Sequence, residues 1–481
     1  MSDPMTDHAP GSVLRRGESG YEQARLDAVW NARKPDRYPA VIVLAETEDD
    51  VVRAVRLALA EGLRVSIRSG GHSWVGNGVR DGGLLIDLSR LQDIELDVPG
   101  RVAAVGPAVK GPALNDLLYE HGLFFPTGHA PTVGIGGFIL GGGYGWNSRY
   151  WGPACLSIRA IDVVLADGEL VHADDENHPD LLWAARGSGP GFFGVVTRFH
   201  LDVHPRASKI LRTVHTYPLE LRDELLRWSY DHLETLSPAV EISAKVGFTP
   251  GLGVHAASLT ATAFCTEETG EDLLESLEQI PFRDRALRAT VNRETSIVEL
   301  YDIADRLTPA GLRWALDGIW AGGPASEIVG AARQMLDTIP GDNDFVLWML
   351  WGHHPTTPRA CWSSQAKVYL SPNSGWSDPA DDLDRERWVH GTLSEIQHLS
   401  QGLQFSDNNV ADRFDHGLSP ENAVRLEKIR AVYDPDGLFR SYMTPAESTT
   451  AYARAAPSLH PAPGDGATTA QGAELSADPP R

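Results

Sequence analysis

Ile67-Arg68-Ser69-Gly70-Gly71-His72-Ser73-Trp74 closes an apolar run and opens a glycine-rich turn. Upstream of it, AVIVLA (40–45) reads as a buried strand, and Thr47 with Asp50 has the spacing of a capping box. VVRAVRLALAEG (51–62) then carries apolar residues at helical spacing and stops at Gly62, a residue suited to a left-handed C-cap. RVSIR (64–68) is a second strand. Residues 40–70 therefore read as a βαβ unit, and His72 lies in the turn that follows it. Whether that histidine is a reagent, a ligand or a turn residue depends on the rest of the chain.

Working outward, a second unit of similar kind is expected through LLIDLSRL (84–91), VAAVG (102–106) and the helix PALNDLLYEHG (112–122). IRAIDVVLADGELV (158–171) predicts a hairpin turning at Asp167-Gly168. LLWAARG (181–187) reads as helix and GVVTRFHLDVHP (194–205) as strand. Beyond residue 205 the pattern changes. KILRTVHTYPL (209–219), AVEISAKVGFTP (239–250), VHAASLTATAF (254–264) and FVLWMLWGHH (345–354) read as longer strands. GEDLLESLEQI (270–280), SEIVGAARQMLDTI (326–339) and RERWVHGTLSEI (385–396) read as helices, which predicts an α+β domain with an antiparallel sheet. A last helix, PENAVRLEKIRAVYD (420–434), leads into PDGLFRSYM. Residues 1–20 and 446–481 hold few large apolar side chains and are expected to be disordered.

A chain of 481 residues exceeds one ordinary core, so two domains are expected. Apolar content of 42% and charged content of 22% are those of a globular protein. No apolar run approaches the ~18 residues of a membrane span, and no basic-then-apolar leader pattern is visible. Cys155, Cys265 and Cys361 form neither a disulfide framework nor a metal-ligand spacing, so a cytoplasmic location is expected. A net charge of −23 disfavours nucleic acid and anionic membranes as partners. A small molecule is the expected partner.

Three glycine clusters precede residue 200: RSGGHSWVGNG (68–78), VGIGGFILGGGYGW (133–146) and RGSGPGFFG (186–194). Glycine lets backbone amides approach a phosphate. No cluster is followed by the lysine of a Walker A loop. Gly189-Pro190-Gly191-Phe192-Phe193-Gly194 matches GxGxxG, but a helix precedes it and a strand follows, the reverse of a Rossmann turn.

Arg68 to Ser73, with Gly83-Leu84-Leu85-Ile86-Asp87-Leu88-Ser89-Arg90, resembles the cofactor loop of the FAD-linked oxidases of the vanillyl-alcohol oxidase type. The branch with berberine bridge enzyme and 6-hydroxy-D-nicotine oxidase is the nearer likeness. Pro131 to Gly137, Gly141 to Gly145, Asp180 to Gly187, Gly194 to Thr197 and Tyr433 to Arg440 match it in the same order. The middle of the chain matches weakly, chiefly over residues 366–376. The resemblance implies an α+β architecture: a PCMH-type two-subdomain FAD-binding fold with an inserted α+β substrate domain, its antiparallel sheet flanked by helices. The implied division is 21–205 for FAD, 206–424 for substrate, and 425–445 as a segment returning to the FAD domain. It also implies FAD as cofactor, bonded through His72 to the 8α carbon of the flavin. A cofactor site follows from Arg68, Ser69, Gly70, Gly71, His72, Ser73, Gly76 and Asn77, with His129, Pro131, Thr132, Val133, Gly134 and Gly137. Gly141, Gly142, Gly145, Gly194, Val195, Val196 and Tyr442 complete it.

Departures from the family pattern refine this reading. Many relatives carry a second flavin bond from a cysteine where this chain has Ala130, so a singly linked flavin is expected. Cys155 reads as a small buried residue instead. Relatives often place a basic tyrosine where this chain has Phe405, in Gln404-Phe405-Ser406-Asp407-Asn408. Candidate replacements are Tyr369, Tyr442 and Asp407. Ile135 takes a position whose bulk, by the same resemblance, hinders oxygen. Trp348, Trp351, Trp362 and Trp376, with Tyr369, are candidates for an aromatic substrate pocket. His353-His354 has no companion ligands at metal spacing, and no metal is expected. The expected activity is hydride transfer from an alcohol, amine or natural-product C–H to FAD and then to O₂, in a monomer or homodimer. The alternatives are a dehydrogenase with another acceptor and a flavin-bearing protein with a non-redox binding or cyclisation role.

Overall fold

The computed structural model describes residues 12–266, 272–363, 365–408, 417–444 and 447. The opening βαβ unit is present. Strands β1 (Val13–Arg15), β2 (Val41–Leu44), β3 (Val65–Arg68) and β4 (Leu84–Asp87) form one sheet in the order β1-β2-β4-β3. β2 and β3 both run parallel to β4, which lies between them. Helix Glu48–Glu61 joins β2 to β3. Thr47 and Asp50 make the full reciprocal capping box, and Gly62 closes the helix at φ 64°. Such a cap contributes about 1 kcal/mol.

The expected disorder over residues 1–20 stops short of Val13, because β1 pairs antiparallel with β2 and buries Leu14. The expected tail, 446–481, lies outside the described residues except for Glu447.

Next come β5 (Ile94–Asp97), β6 (Val102–Val105), β7 (Leu123–Phe124), β8 (Ile158–Val164), β9 (Leu170–Ala173), β10 (Val195–Asp202) and β11 (His204–Pro205). Five of them form an antiparallel sheet, β5-β6-β10-β8-β9, while β7 pairs with β11. The expected second βαβ unit does not exist. Its two strands, β4 and β6, belong to different sheets, and β6 pairs antiparallel with β5. Apolar strands alone do not distinguish parallel from antiparallel partners.

Every later strand joins one eight-stranded sheet. It contains β12 (Lys209–Pro218), β13 (Val240–Thr249), β14 (Val254–Cys265), β15 (Arg288–Thr295), β16 (Arg313–Leu316), β17 (Ile319–Ala321), β18 (Phe345–Leu350) and β19 (Val368–Trp376). The order is β15-β12-β14-β13-β18-β19-β16, with β17 also on β19. Within 270–280 the described part is a 3₁₀ turn, Glu275–Gln279, rather than the expected helix.

Side-chain alternation gives this sheet two faces. Ile242, Ala244, Val246, Leu259, Ala261, Trp348 and Leu350 pack with Leu225, Trp228, Ile328, Trp388 and Leu393 of the covering helices. The other face looks toward the glycine loops of the first two sheets. Between the two bodies runs a strap after β18: Trp351, Cys361 and Trp362 join the core of the first body. Its backbone is tied there, with Cys361 N donating to Trp183 O at 3.1 Å and Trp362 N to Arg186 O at 2.8 Å. Asn31 pins the opposite side, donating to Trp74 O at 2.9 Å and Trp314 O at 2.8 Å while accepting from Trp314 N at 3.0 Å.

Candidate active site

A cavity of about 900 Å³ lies between the glycine loops and the open face of the eight-stranded sheet. That is the upper end of the ~300–1,000 Å³ usual for small-molecule and cofactor sites. Its floor is the turn after β3, the 133–140 segment and the 189–196 segment; its roof is β12, β13, β14 and β18.

The floor turn is locked from several sides. Arg68 Nη1 pairs with Asp87 Oδ1 at 2.9 Å. The buried Arg37 donates to Val79 O at 2.6 Å, Val75 O at 2.6 Å and Gly76 O at 2.8 Å, which fixes the chain just after His72. Gly70 packs backbone to backbone on the second cluster: a Cβ there would stand 2.6 Å from Gly134 N. This contact brings Thr132 to His72, whose Nε2 is 2.9 Å from Thr132 Oγ1. Trp30 stacks on the imidazole at 4.4 Å and Trp74 meets it edge-on at 5.6 Å. Burial pushes the His72 imidazole down to about 4, with Lys110 adding to the effect, so it is neutral at pH 7.

A second cluster closes one end. Glu241 on β13 accepts from His129 Nε2 at 2.9 Å and from Asn147 N at 3.1 Å. Asp407 lines the same cavity and accepts from Gln404 Nε2 at 2.9 Å. Burial raises its carboxyl to about 6, against the opposing pull of the Trp74 hydrogen bond and of His129.

The structure brings together Arg68, Ser69, Gly70, Gly71, His72, Ser73, Gly76, Asn77, His129, Val133, Gly134, Gly137, Gly194 and Val196 on the cavity wall. Pro131, Thr132, Gly141, Gly142, Gly145, Val195 and Tyr442 do not line it. For the second glycine run the reason is protein packing. A Cβ on Gly145 would lie 2.0 Å from Thr127 O, and the bare carbon is needed there. Tyr442 turns away to donate to Ser188 O at 2.9 Å and stacks on Phe405, and burial raises its phenol far above its ordinary value. Tyr369 donates to Asn408 Oδ1 at 3.1 Å inside the core. Of the three candidate bases, only Asp407 reaches the cavity.

The aromatic pocket is corrected outright. Trp348 and Trp376 lie in the core beneath the covering helices, and Trp351, Trp362 and Tyr369 lie in the core of the first body. Leu347 and Met349, the alternate residues of β18, face the cavity instead. Ile135 is likewise buried in the core and is not on the cavity wall. Cys155 is fully buried, and burial raises its thiol well above the ordinary range. One cluster elsewhere, Asp162 with His172 and His200, brings three donor groups within 4.8 Å. Both imidazoles already hydrogen-bond that carboxylate, at 2.6 and 2.9 Å.

The cavity fits a flavin dinucleotide. Three glycine clusters converge on it, and Arg68 Nε and Trp146 Nε1, both on cavity residues, are buried without a hydrogen-bond partner. Such orphaned donors call for an acceptor.

Comparison with known proteins agrees. A family model described as an FAD binding domain matches residues 39–174. An FAD-linked oxidoreductase of Penicillium ochrochloron is 33% identical over 429 residues, covering 88% of this chain and 94% of the relative. The (R)-6-hydroxynicotine oxidase of Paenarthrobacter nicotinovorans is 28% identical over 454 residues, covering 89% and 95%. The crystal structure of 6-hydroxy-D-nicotine oxidase from Arthrobacter nicotinovorans superposes with a TM-score of 0.78 at 24% identity, over 92% of this chain and 99% of that one. Aclacinomycin oxidoreductase gives 0.75 at 22% identity, over 90% and 98%. These two structural likenesses establish the fold. Among the described residues, no helix is long and apolar enough to cross a membrane.

Proposed function

The chain belongs to the FAD-linked oxidoreductases, and from that premise we propose an oxidase that takes hydride from a C–H beside an alcohol or amine, or within a natural-product skeleton. One observation carries the reading: neutral His72 and the carboxylate of Asp407 face the same cavity. FAD held there would supply a two-electron acceptor of the kind O₂ can reoxidise.

His72 is the tether. A neutral imidazole has a free lone pair for the 8α carbon, which would lose a proton as the C–N bond formed while the electron pair passed through the flavin to O₂. Thr132 and Trp30 fix the ring's plane. With Ala130 in place of a thiol and Cys155 buried in the core, the link is single. Asp407 is the proton acceptor. With its carboxyl near 6 it is ionised at neutral pH, yet basic enough to take a proton from a substrate hydroxyl or ammonium. Gln404 holds the carboxylate, and His129 with Glu241 completes the polar end. Phe405 packs on Tyr442 and takes no proton. Three buried cysteines, with no disulfide among the described residues, suit a reducing, cytoplasmic setting.

The test is to screen alcohols, amines and phenolic metabolites for anaerobic bleaching of the flavin, then admit air. Rapid return of colour with stoichiometric hydrogen peroxide is the expected result. Bleaching with slow return would overturn O₂ as the acceptor, and no bleaching by any donor would overturn the redox role.

A further inference from the structure

Glu241, Ser243 and Lys245 alternate along β13, and all three face the cavity. On β14 they stand opposite Thr262, Thr260 and Ser258. β12 extends these rows with Arg212, Val214 and Thr216, and β15 sets Arg288 beside Thr216. The last row therefore reads Arg288, Thr216, Ser258, Lys245 and, on β18, Leu347.

Charge is mixed on the first row of this roof, where Arg212 stands with Glu241, and wholly cationic on the last. Among the described residues, the carboxylates lining the cavity are Glu241 and Asp407, both near His129. The last row holds two cations, and among the described residues neither has a carboxylate within ion-pair distance. Lys245 Nζ donates to Phe248 O at 2.7 Å and lies 5.6 Å from the Phe345 ring centre. Arg288 Nη2 donates to Gly251 O at 2.7 Å. The Thr216 and Ser258 hydroxyls between them are 3.0 Å apart. Four strand positions separate Lys245 from Glu241, a distance of about 13 Å. Leu300, Ile303, Leu307 and Met349 give the cavity apolar wall.

A half-buried ammonium without a counter-charge is costly, and a charge-assisted hydrogen bond to an anion is the strong way to satisfy it. We propose that the cavity takes an elongated substrate whose anionic group, a carboxylate or a phosphate ester, is held by Lys245, the Ser258 and Thr216 hydroxyls and Arg288, with an apolar body running toward His129 and Asp407. The proposal rests on the oxidoreductase reading for what the cavity is for. Lys245 is a specificity residue here, remote from the proton-accepting end.

The holoenzyme is titrated with decanoate, decyl phosphate and the neutral decanamide, reading the flavin difference spectrum. Wild type should bind one or both anions at least tenfold more tightly than decanamide. The two anion arms tell a carboxylate site from a phosphate site. Lys245→Met should abolish the preference and Lys245→Arg should retain it, with flavin content and circular dichroism showing that both variants fold. Equal or tighter binding of decanamide, a preference that survives Lys245→Met, or no spectral response to any of the three would overturn the proposal. Failure of the oxidoreductase reading would appear separately, as colourless protein or as flavin that no donor reduces.

Discussion

His72 Nε2 lies 2.9 Å from the Thr132 hydroxyl, across two glycine loops that touch through Gly70 and Gly134. The imidazole is thereby oriented by a residue 60 positions away, before any cofactor chemistry begins.

The tether reading gives a direct outcome. Acid-precipitated wild-type protein should keep its yellow colour in the pellet, and His72→Ala should release all of it to the supernatant. A colourless wild-type pellet would remove the covalent link. Colour retained in the variant would assign it to another residue.

Asp407 predicts a pH limb. Its folded carboxyl titrates near 6, above the ordinary aspartate value, so the basic form is lost as pH falls below 6. The anaerobic flavin-reduction rate should fall about tenfold per pH unit below that point. Asp407→Asn should lower the rate on the order of a hundredfold or more and erase the limb.

The same shift has the opposite sign for stability. A raised carboxyl pKa means that ionising Asp407 costs folding free energy, a cost absent at low pH and complete once pH rises past 6. Asp407→Asn should therefore raise the melting temperature at pH 8 relative to wild type, with little difference at pH 4. A lower melting temperature at pH 8 would contradict the burial argument.

Asn31 joins the two bodies through two hydrogen bonds to the buried backbone of Trp314, and a third to Trp74 O anchors it in its own body. Asn31→Ala leaves the Trp314 amide and carbonyl unpaired, at about 1–3 kcal/mol. A lower urea midpoint with the flavin still attached is the expected measurement.

Roof and core residues should separate cleanly on β18. Met349→Ala and Leu347→Ala should change the substrate concentration dependence of flavin reduction. Trp348→Ala should instead cost about 3–5 kcal/mol of stability and leave that dependence unchanged in the protein that folds.

Much of the floor could be read from local sequence. The strand-helix-strand over 41–68, its capping box and Gly62 all follow rules that act within a few residues. The roof could not be read in that way. In Val240-Glu241-Ile242-Ser243-Ala244-Lys245-Val246 the alternation is plain, but a polar strand face ordinarily meets water. Here the glycine loops lie across it, a relation set by contacts between residues more than 100 positions apart, such as His129 with Glu241. The tryptophans misled for a related reason. Aromatic content names a good pocket wall and a good core equally, and only the strand's phase separates Trp348 from Met349. Trp30 carried no local signal at all, since its role depends on stacking against His72 from another segment.

The strap through Trp351, Cys361 and Trp362 has a further consequence. Because a piece of the roof's own chain completes the hydrophobic interior of the floor, neither body is a whole object without the other. The roof is accordingly anchored to the floor through a common interior rather than merely laid over it. Thermal melting should show one transition rather than two. A gene fragment ending near residue 205 should yield insoluble protein, however well its flavin loops are preserved.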